Sequence, residues 1–300
     1  MKKNSGFERF YKEKKGAAKK EQFRQEKRKF KKEREESIER KKQQAIEQSR
    51  PVIKRKTEEG VMPLNKYIAH SGICSRRDAV ELIKEGKVKV NGAVITEPGQ
   101  KVSPKDEIKV SNKKIHPVKD LVYILLNKPK DYLTTTEDPQ QRKTVLDLIK
   151  NATKERIYPV GRLDRNTSGV LLLTNDGELS QKLTHPSNEI KKIYAVTLNK
   201  PLEKKDFDEI LKGVALEDGI ANVDVLAYAD NTDKTQLGVE LHSGRNRIVR
   251  RIFEHFGYDV KTLDRVMFAG LTKKNVQRGK WRFLSEKEVR DLKFFKKGKA

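Results

Sequence analysis

Apolar residues in this chain come in two kinds of pattern, and both begin only after residue 60. Over residues 62–110 the pattern is that of a small module. Leu64, Tyr67 and Ile68 share one face of a short helix that Gly72 ends. Ser75 then caps a second helix, with Asp78 three residues on in capping-box position, and Ala79, Leu82 and Ile83 form its buried face. Gly86 follows its end. Val88 and Val90 alternate with lysines as a strand, and Asn91-Gly92 predicts a tight turn into Val94-Ile95. Residues 111–120 carry Asn, Lys, His and Pro and read as a linker.

From residue 121 the pattern becomes that of a larger globule extending to residue 292. Leu121–Leu126 and Val170–Leu173 are apolar runs that predict buried strands. Lys191–Leu198 alternates as a half-buried strand. Val223–Tyr228 and Leu237–Leu241 predict two more strands. Val145–Ile149, Leu179–Leu183 and the Phe207, Ile210 and Leu211 group predict helices. Such strand-rich alternation with scattered helices points to a mixed α+β domain rather than a parallel βαβ sheet.

Two polar stretches interrupt this globule. Gly161-Arg162-Leu163-Asp164-Arg165-Asn166-Thr167-Ser168-Gly169 sets one carboxylate between two arginines in a loop that runs into an apolar strand. A polar loop on a rigid strand is where a chain places a reactive group, although an ordinary surface loop with an Asp–Arg pair reads the same way. Ser243–Phe253 predicts a helix over 245–256. Ile248, Ile252 and Phe256 lie on one side, and Arg247, Arg250 and Arg251 on the other.

Residues 1–60 have no sustained period. They hold 22 Lys and Arg against 11 Glu, and Phe7, Phe10, Phe23 and Phe30 are scattered among them. This composition predicts a disordered basic arm that attracts phosphates without reading sequence, or else a solubilising tail. Residues 293–300 form a short basic tail. The whole 300-residue chain has a formal net charge of +25. That balance favours polyanions, nucleic acid above all. No apolar run approaches the ~20 residues that span a bilayer, no apolar leader is present, and Cys74 is the only cysteine. The expectation is a cytoplasmic monomer with no membrane association, no disulfide and no zinc cluster.

The loop and the strand after it resemble the motif G-R-L-D-x-x-T-x-G-L-L-L-L-T-N-D-G of the RsuA/RluB-type ribosomal RNA pseudouridine synthases, with Val170 in place of the first leucine. Asn127-Lys128-Pro129 resembles the family's N-K-P-x-G motif, with Lys130-Asp131 where the glycine usually stands. Lys192-Ile193-Tyr194-Ala195-Val196 resembles K-x-Y-x-V. The 243–253 stretch resembles E-G-R-N-R-Q-V-R-R-M, with Ser243 for the Glu and Ile248 for the Gln. Residues 263–270 and 278–284 resemble the closing segments, most like those of the large-subunit RluB type. Ser75–Gly92 is similar to the S4-type (αL) RNA-binding domain.

The resemblance implies the pseudouridine-synthase fold with a large, mainly antiparallel sheet and a central cleft, and isomerisation of a specific uridine in ribosomal RNA with no redox cofactor or metal. It implies that Asp164 is the catalytic residue, acting as nucleophile or base once the base has left its stack. Arg250 would keep that carboxylate ionised, and Tyr194 would stack on the flipped base. Arg76, Arg77, Lys84, Lys87 and Lys89 of the small module are expected to hold RNA. So are Lys128, Arg162, Arg165, Arg245, Arg247 and Arg251 of the larger domain. Trp281 is expected in the core rather than on a base. The substrate would be ribosomal RNA or a pre-ribosomal particle. A non-catalytic RNA-binding or ribosome-assembly protein on the same scaffold, and a DNA-binding nucleoid protein, are the competing readings.

Overall fold

The computed structural model describes residues 60–118, 120–230 and 232–294, together with Glu33. The arm expected over residues 1–60 and most of the 293–300 tail fall outside the described residues.

The small module opens with β1 (Met62–Pro63), α1 (Leu64–His70) and α2 (Arg76–Lys84). Ser75 caps α2 as the sequence predicts: its hydroxyl accepts from the Asp78 amide at 3.2 Å and the Asp78 carboxylate accepts from the Ser75 amide at 3.0 Å. The strands β2 (Val88–Val90), β3 (Ala93–Val94), β4 (Lys101–Val102), β5 (Ile108–Val110) and β6 (Lys113–Ile115) follow. The order β3-β2-β5-β6 makes a four-stranded sheet, and β1 pairs with β4. Asn91 and Gly92 both have positive φ, the geometry of a primed hairpin turn. Leu64, Tyr67, Ile68, Ala79 and Ile83 close over Val88, Val102 and Ile108. The stretch expected as a linker thus begins with an edge strand: Ile115 pairs with Ile108 and joins the module's core.

The larger domain is built on a nine-stranded sheet. Its strands are β7 (Tyr123–Lys128), β8 (Tyr158–Pro159), β9 (Ser168–Thr174), β10 (Lys192–Leu198), β13 (Val225–Tyr228), β14 (Gln236–Leu241), β15 (Val260–Phe268), β16 (Leu271–Thr272) and β17 (Trp281–Phe283). The main path runs β13-β14-β10-β15-β9-β7-β17. Every pairing is antiparallel except β9 with β15, where Ser168 faces Asp264 and Gly169 faces Arg265. A separate hairpin, β11 (Val214–Leu216) and β12 (Gly219–Ala221), stands apart from this sheet. Helices α3 (Gly177–Thr184), α4 (Lys204–Lys212), α5 (Ile248–His255) and α6 (Glu286–Lys293) complete the domain.

β9 is central, and its sequence says why. Leu171 and Leu173 enter one core cluster while Val170 and Leu172 enter the other, so both faces are covered and the run is apolar without alternation. Two helix expectations change. Val145–Ile149 is a succession of turns with i to i+3 bonds. The Asp147 carboxylate accepts from the Thr144 amide at 2.7 Å, and Leu133 bridges to Thr144, which holds the strand-like entry instead of a helix. The basic helix spans 248–255, not 245–256, because Arg247 takes φ +47 and ψ +29 at its N-cap. Trp281 packs against the main core cluster, in line with its expected place, and meets Phe283 edge-on.

Candidate active site

The loop 161–167 enters the sheet at the parallel β9/β15 junction. Its main chain is gripped from below by Lys128, the last residue of β7. Lys128 is 0% exposed, and its ammonium donates to four carbonyls: Pro129 at 3.0 Å, Asp164 at 3.1 Å, Arg165 at 3.2 Å and Thr167 at 2.8 Å. Burial pushes its pKa down to about 8, which leaves it charged at neutral pH. The expectation that Lys128 contacts RNA is therefore corrected: its donors are spent on the loop, and no face of it meets solvent. Replacing it with methionine takes a donor from all four carbonyls, although those of Asp164 and Arg165 keep the Thr167 and Asp131 amides. Lys128→Met is expected to cost about 2–4 kcal/mol of stability, seen as a lower urea midpoint.

Asp164 sits at the top of this loop. Its carbonyl accepts from the Thr167 amide at 3.0 Å in addition to Lys128. Among the described residues its carboxylate takes no hydrogen bond and no ion pair, so it faces the cleft unengaged. That cleft has a volume of about 1010 Å³. Arg162, Arg165, Tyr194, Arg245 and Arg247 line it together with Asp164. Asp131 stands where a glycine is usual in the N-K-P-x-G pattern and adopts φ +67, the left-handed conformation that glycine takes freely and Asp tolerates. Its amide donates to the Arg165 carbonyl at 2.9 Å, and its carboxylate pairs with Arg165 at 3.3 Å.

Tyr194 lies on β10, buried to 9% exposure, with Arg265 as its register partner on β15. Arg265 is buried, donates to the Val170 carbonyl at 2.8 Å and carries its guanidinium over the Phe268 ring. Arg265 carries no expectation from the sequence. Beside it Lys192 spans the Ile190 and His242 carbonyls at 2.8 and 2.7 Å. Desolvation lowers the Lys192 pKa to about 8.

Arg250 is not on a solvated face of the basic helix. It is 9% exposed, donates to the Val260 carbonyl at 2.7 Å, and reaches the loop at the Asn166 carbonyl at 3.4 Å rather than at the Asp164 carboxylate. Burial and the neighbouring Arg247 hold its pKa below the usual guanidinium value, while the Asp164 charge pulls it back up. Arg245 and Arg251 converge on the β11–β12 hairpin instead of pointing free. Asp218 accepts from Arg251 at 2.9 and 2.7 Å and from Arg245 at 3.0 Å. Arg247 pairs with Glu254 at 2.9 Å. Arg245 also donates to the Asp218, Gly219 and Ile220 carbonyls, so Asp218→Ala should release Arg251 alone, raise RNA affinity, and steepen its salt dependence by about one unit of slope. Binding measured at two salt concentrations checks this.

Arg162 and Arg165 are exposed at the cleft, and Arg76, Arg77, Lys84 and Lys87 are exposed on the small module, with Lys89 half-buried and bonded to Asn112. Of these, Lys87 pairs with Glu85.

Residues 122–255 match the family model for RNA pseudouridylate synthase, and residues 62–108 match the S4 domain. The chain is 43% identical over 233 residues to the ribosomal large subunit pseudouridine synthase B of Bacillus subtilis (strain 168), covering 77% of this chain and 95% of that protein. The chain belongs to the RsuA/RluB family of ribosomal RNA pseudouridine synthases. It is also 38% identical over 237 residues to the dual-specificity RNA pseudouridine synthase RluF of Escherichia coli (strain K12), covering 76% of this chain and 77% of that protein. A crystal structure of a pseudouridylate synthase superposes with a TM-score of 0.56 at 27% identity, covering 77% of this chain and 99% of that one. As a pseudouridine synthase the chain is an enzyme, and the competing non-catalytic reading finds no support. The S4 domain and a mixed α and β synthase domain with a mainly antiparallel sheet are both present, as the sequence led one to expect.

Proposed function

We propose that this synthase isomerises a uridine of large-subunit ribosomal RNA, with Asp164 as the catalytic carboxylate. The observation that carries the reading is the state of Asp164. Its main chain is fixed by Lys128 and Thr167, yet its carboxylate is unengaged in a cleft lined by arginines. The reaction breaks the N1–C1′ bond and forms C5–C1′, while a proton leaves C5 and one arrives at N1, so nothing is consumed. Unstacking the target base costs a few kcal/mol, and phosphate contacts to a basic cleft offset it. Asp164 then acts on the sugar–base unit as nucleophile or base.

In this reading Tyr194 stacks on the flipped base. Its strand is paired on both sides, with Val239 and Arg265 as the register partners of Tyr194. Arg250 acts through the loop: its bond to the Asn166 carbonyl sets the loop's far side. The exposed basic residues of the S4 domain and Arg162 and Arg165 hold the RNA backbone. The enzyme works as a cytoplasmic monomer; among the described residues no helix is long and apolar enough to cross a membrane.

The test is to map pseudouridines in ribosomal RNA from cells with and without the gene, then complement with wild type and Asp164→Asn. Loss of one large-subunit site, restored only by wild type, is the expected result. A site lost from small-subunit RNA would overturn the subunit assignment. A separate expectation concerns the arm. Residues 1–60 bring 22 Lys and Arg and few apolar residues. Their deletion should leave the thermal unfolding midpoint unchanged and lower the salt dependence of RNA binding; a lower midpoint would show that the arm contributes to the fold.

A further inference from the structure

The segment between β7 and β8 runs alongside the Asp164 loop and touches it on both sides of the carboxylate. After Asp164, the Asp131 amide donates to the Arg165 carbonyl at 2.9 Å. Before it, the Thr134 hydroxyl donates to the Leu163 carbonyl at 2.8 Å and accepts from the Leu163 amide at 3.4 Å. Leu163 itself is buried, at 6% exposure, in the main core cluster. A side chain that closes both polar groups of one residue fixes the peptide planes before and after it, and the second of these planes leads into Asp164.

Thr134 is in turn held at the base of an arch. Leu133 donates to the Lys143 carbonyl and accepts from the Val145 amide, each at 2.9 Å, so the two ends of the arch are tied together. Between them Asp138 binds Arg142 through both carboxylate oxygens, at 2.6 and 3.1 Å, and accepts from the Arg142 amide. Thr134, Thr135, Glu137, Asp138 and Arg142 all line the same cleft as Asp164. Lys128 anchors the loop from beneath, but its bonds are to carbonyls from residue 164 onward and to Pro129, and none reaches Leu163. The approach to Asp164 thus depends on Thr134 alone among side-chain hydrogen bonds of the described residues.

We propose that Thr134 is a positioning residue for Asp164: its hydroxyl latches the Leu163 peptide groups and so sets the direction in which the Asp164 carboxylate enters the cleft. The proposal rests on Asp164 being the catalytic carboxylate. A reacting group displaced by about 1 Å can lose about 10²-fold in rate, and the latch sits one residue away. Thr134→Val keeps the shape and removes the hydroxyl. Its single-turnover rate at saturating RNA should fall about tenfold to a hundredfold, with RNA affinity within about twofold, because the loss is in orientation and not in phosphate contacts. Thr134→Ser keeps the hydroxyl and should restore the rate to within about threefold of wild type.

The experiment measures single-turnover rate, RNA affinity and thermal midpoint for wild type, Thr134→Val, Thr134→Ser and Asp164→Asn, each as the full chain. A rate drop in Thr134→Val that serine restores supports the latch. A wild-type rate in Thr134→Val, or equal losses in the valine and serine variants, overturns it. If Thr134→Val fails to fold, Thr134→Cys, with a weaker donor of similar size, is read in its place. A cysteine variant as fast as wild type overturns the proposal. Turnover by Asp164→Asn would instead remove the assignment of Asp164, whatever the Thr134 variants do.

Discussion

Asp164→Asn is expected to abolish single-turnover isomerisation while leaving RNA affinity within about tenfold, or ~1.4 kcal/mol. The amide has nearly the shape of the carboxylate, so the change isolates the charge. No protein donor is lost by it, because among the described residues the Asp164 carboxylate accepts no hydrogen bond. What holds the residue is its main chain, through Lys128 at 3.1 Å and the Thr167 amide at 3.0 Å, and asparagine leaves both intact. The thermal midpoint should therefore stay at the wild-type value. Removing a negative charge from a cleft lined by Arg162, Arg165 and Arg247 cannot weaken phosphate attraction. A neutral amide is neither a nucleophile nor a base at neutral pH, so the chemical step is lost. Rate and affinity are read on the same RNA. Turnover by the variant would move the chemistry to another carboxylate of the cleft. Glu137 is then the first alternative, since Asp138 is committed to Arg142.

Much of this architecture was legible before any coordinates. Ser75 and Asp78 formed the capping box that their spacing predicted, and Asn91-Gly92 turned as such a pair does. The apolar run of β9 was buried on both faces, which is why it showed no alternation. What was not legible depends on contacts distant in sequence. Lys128 reads as one more cation on a basic protein; only the arrival of residues 164–167, some forty positions later, supplies the carbonyls that bury it. Arg250 is buried for a geometric reason. At 3.6 residues per turn it lies about 60° beyond Phe253, at the border of the apolar stripe and not opposite it. Its stem can follow the stripe inward while the guanidinium finds the Val260 and Asn166 carbonyls. The Val145–Ile149 pattern has helical spacing, but Asp147 turns its carboxylate back on Thr144 and the stretch closes into turns. Arg245 and Arg251 look free for RNA in the sequence because nothing there ties Asp218 to them from about thirty residues away.

Gly169→Ala is expected to abolish folding of the synthase domain, and it is the largest stability effect predicted for this chain. Gly169 stands where the Asp164 loop becomes β9, directly against β15 in the only parallel pairing among the described strands of the large sheet. Its φ is +113, a region that side-chain-bearing residues rarely enter. A Cβ there would lie 2.1 Å from the Arg265 carbonyl oxygen, 2.6 Å from the Arg265 amide nitrogen and 2.7 Å from a carboxylate oxygen of Asp264. Two of the three are main-chain atoms, so no rotamer change relieves the clash and the strands must part. Parting them breaks the Ser168–Asp264 bond at 3.0 Å and the Arg265–Val170 bond at 2.8 Å, and it leaves a buried guanidinium without its carbonyl. A cost above about 4–5 kcal/mol is exceptional for one substitution, and backbone overlap at a positive φ in a central strand combines two of the mechanisms that reach it. Gly238→Ala in β14 is the control in the same sheet, because a Cβ there meets nothing within 4 Å and φ is not positive. Urea unfolding should show Gly238→Ala close to wild type and Gly169→Ala with no cooperative transition or no soluble protein. A Gly169→Ala variant that unfolds at the wild-type midpoint would mean that β9 and β15 do not approach this closely, and the placement of Asp164 at their junction would have to be redrawn.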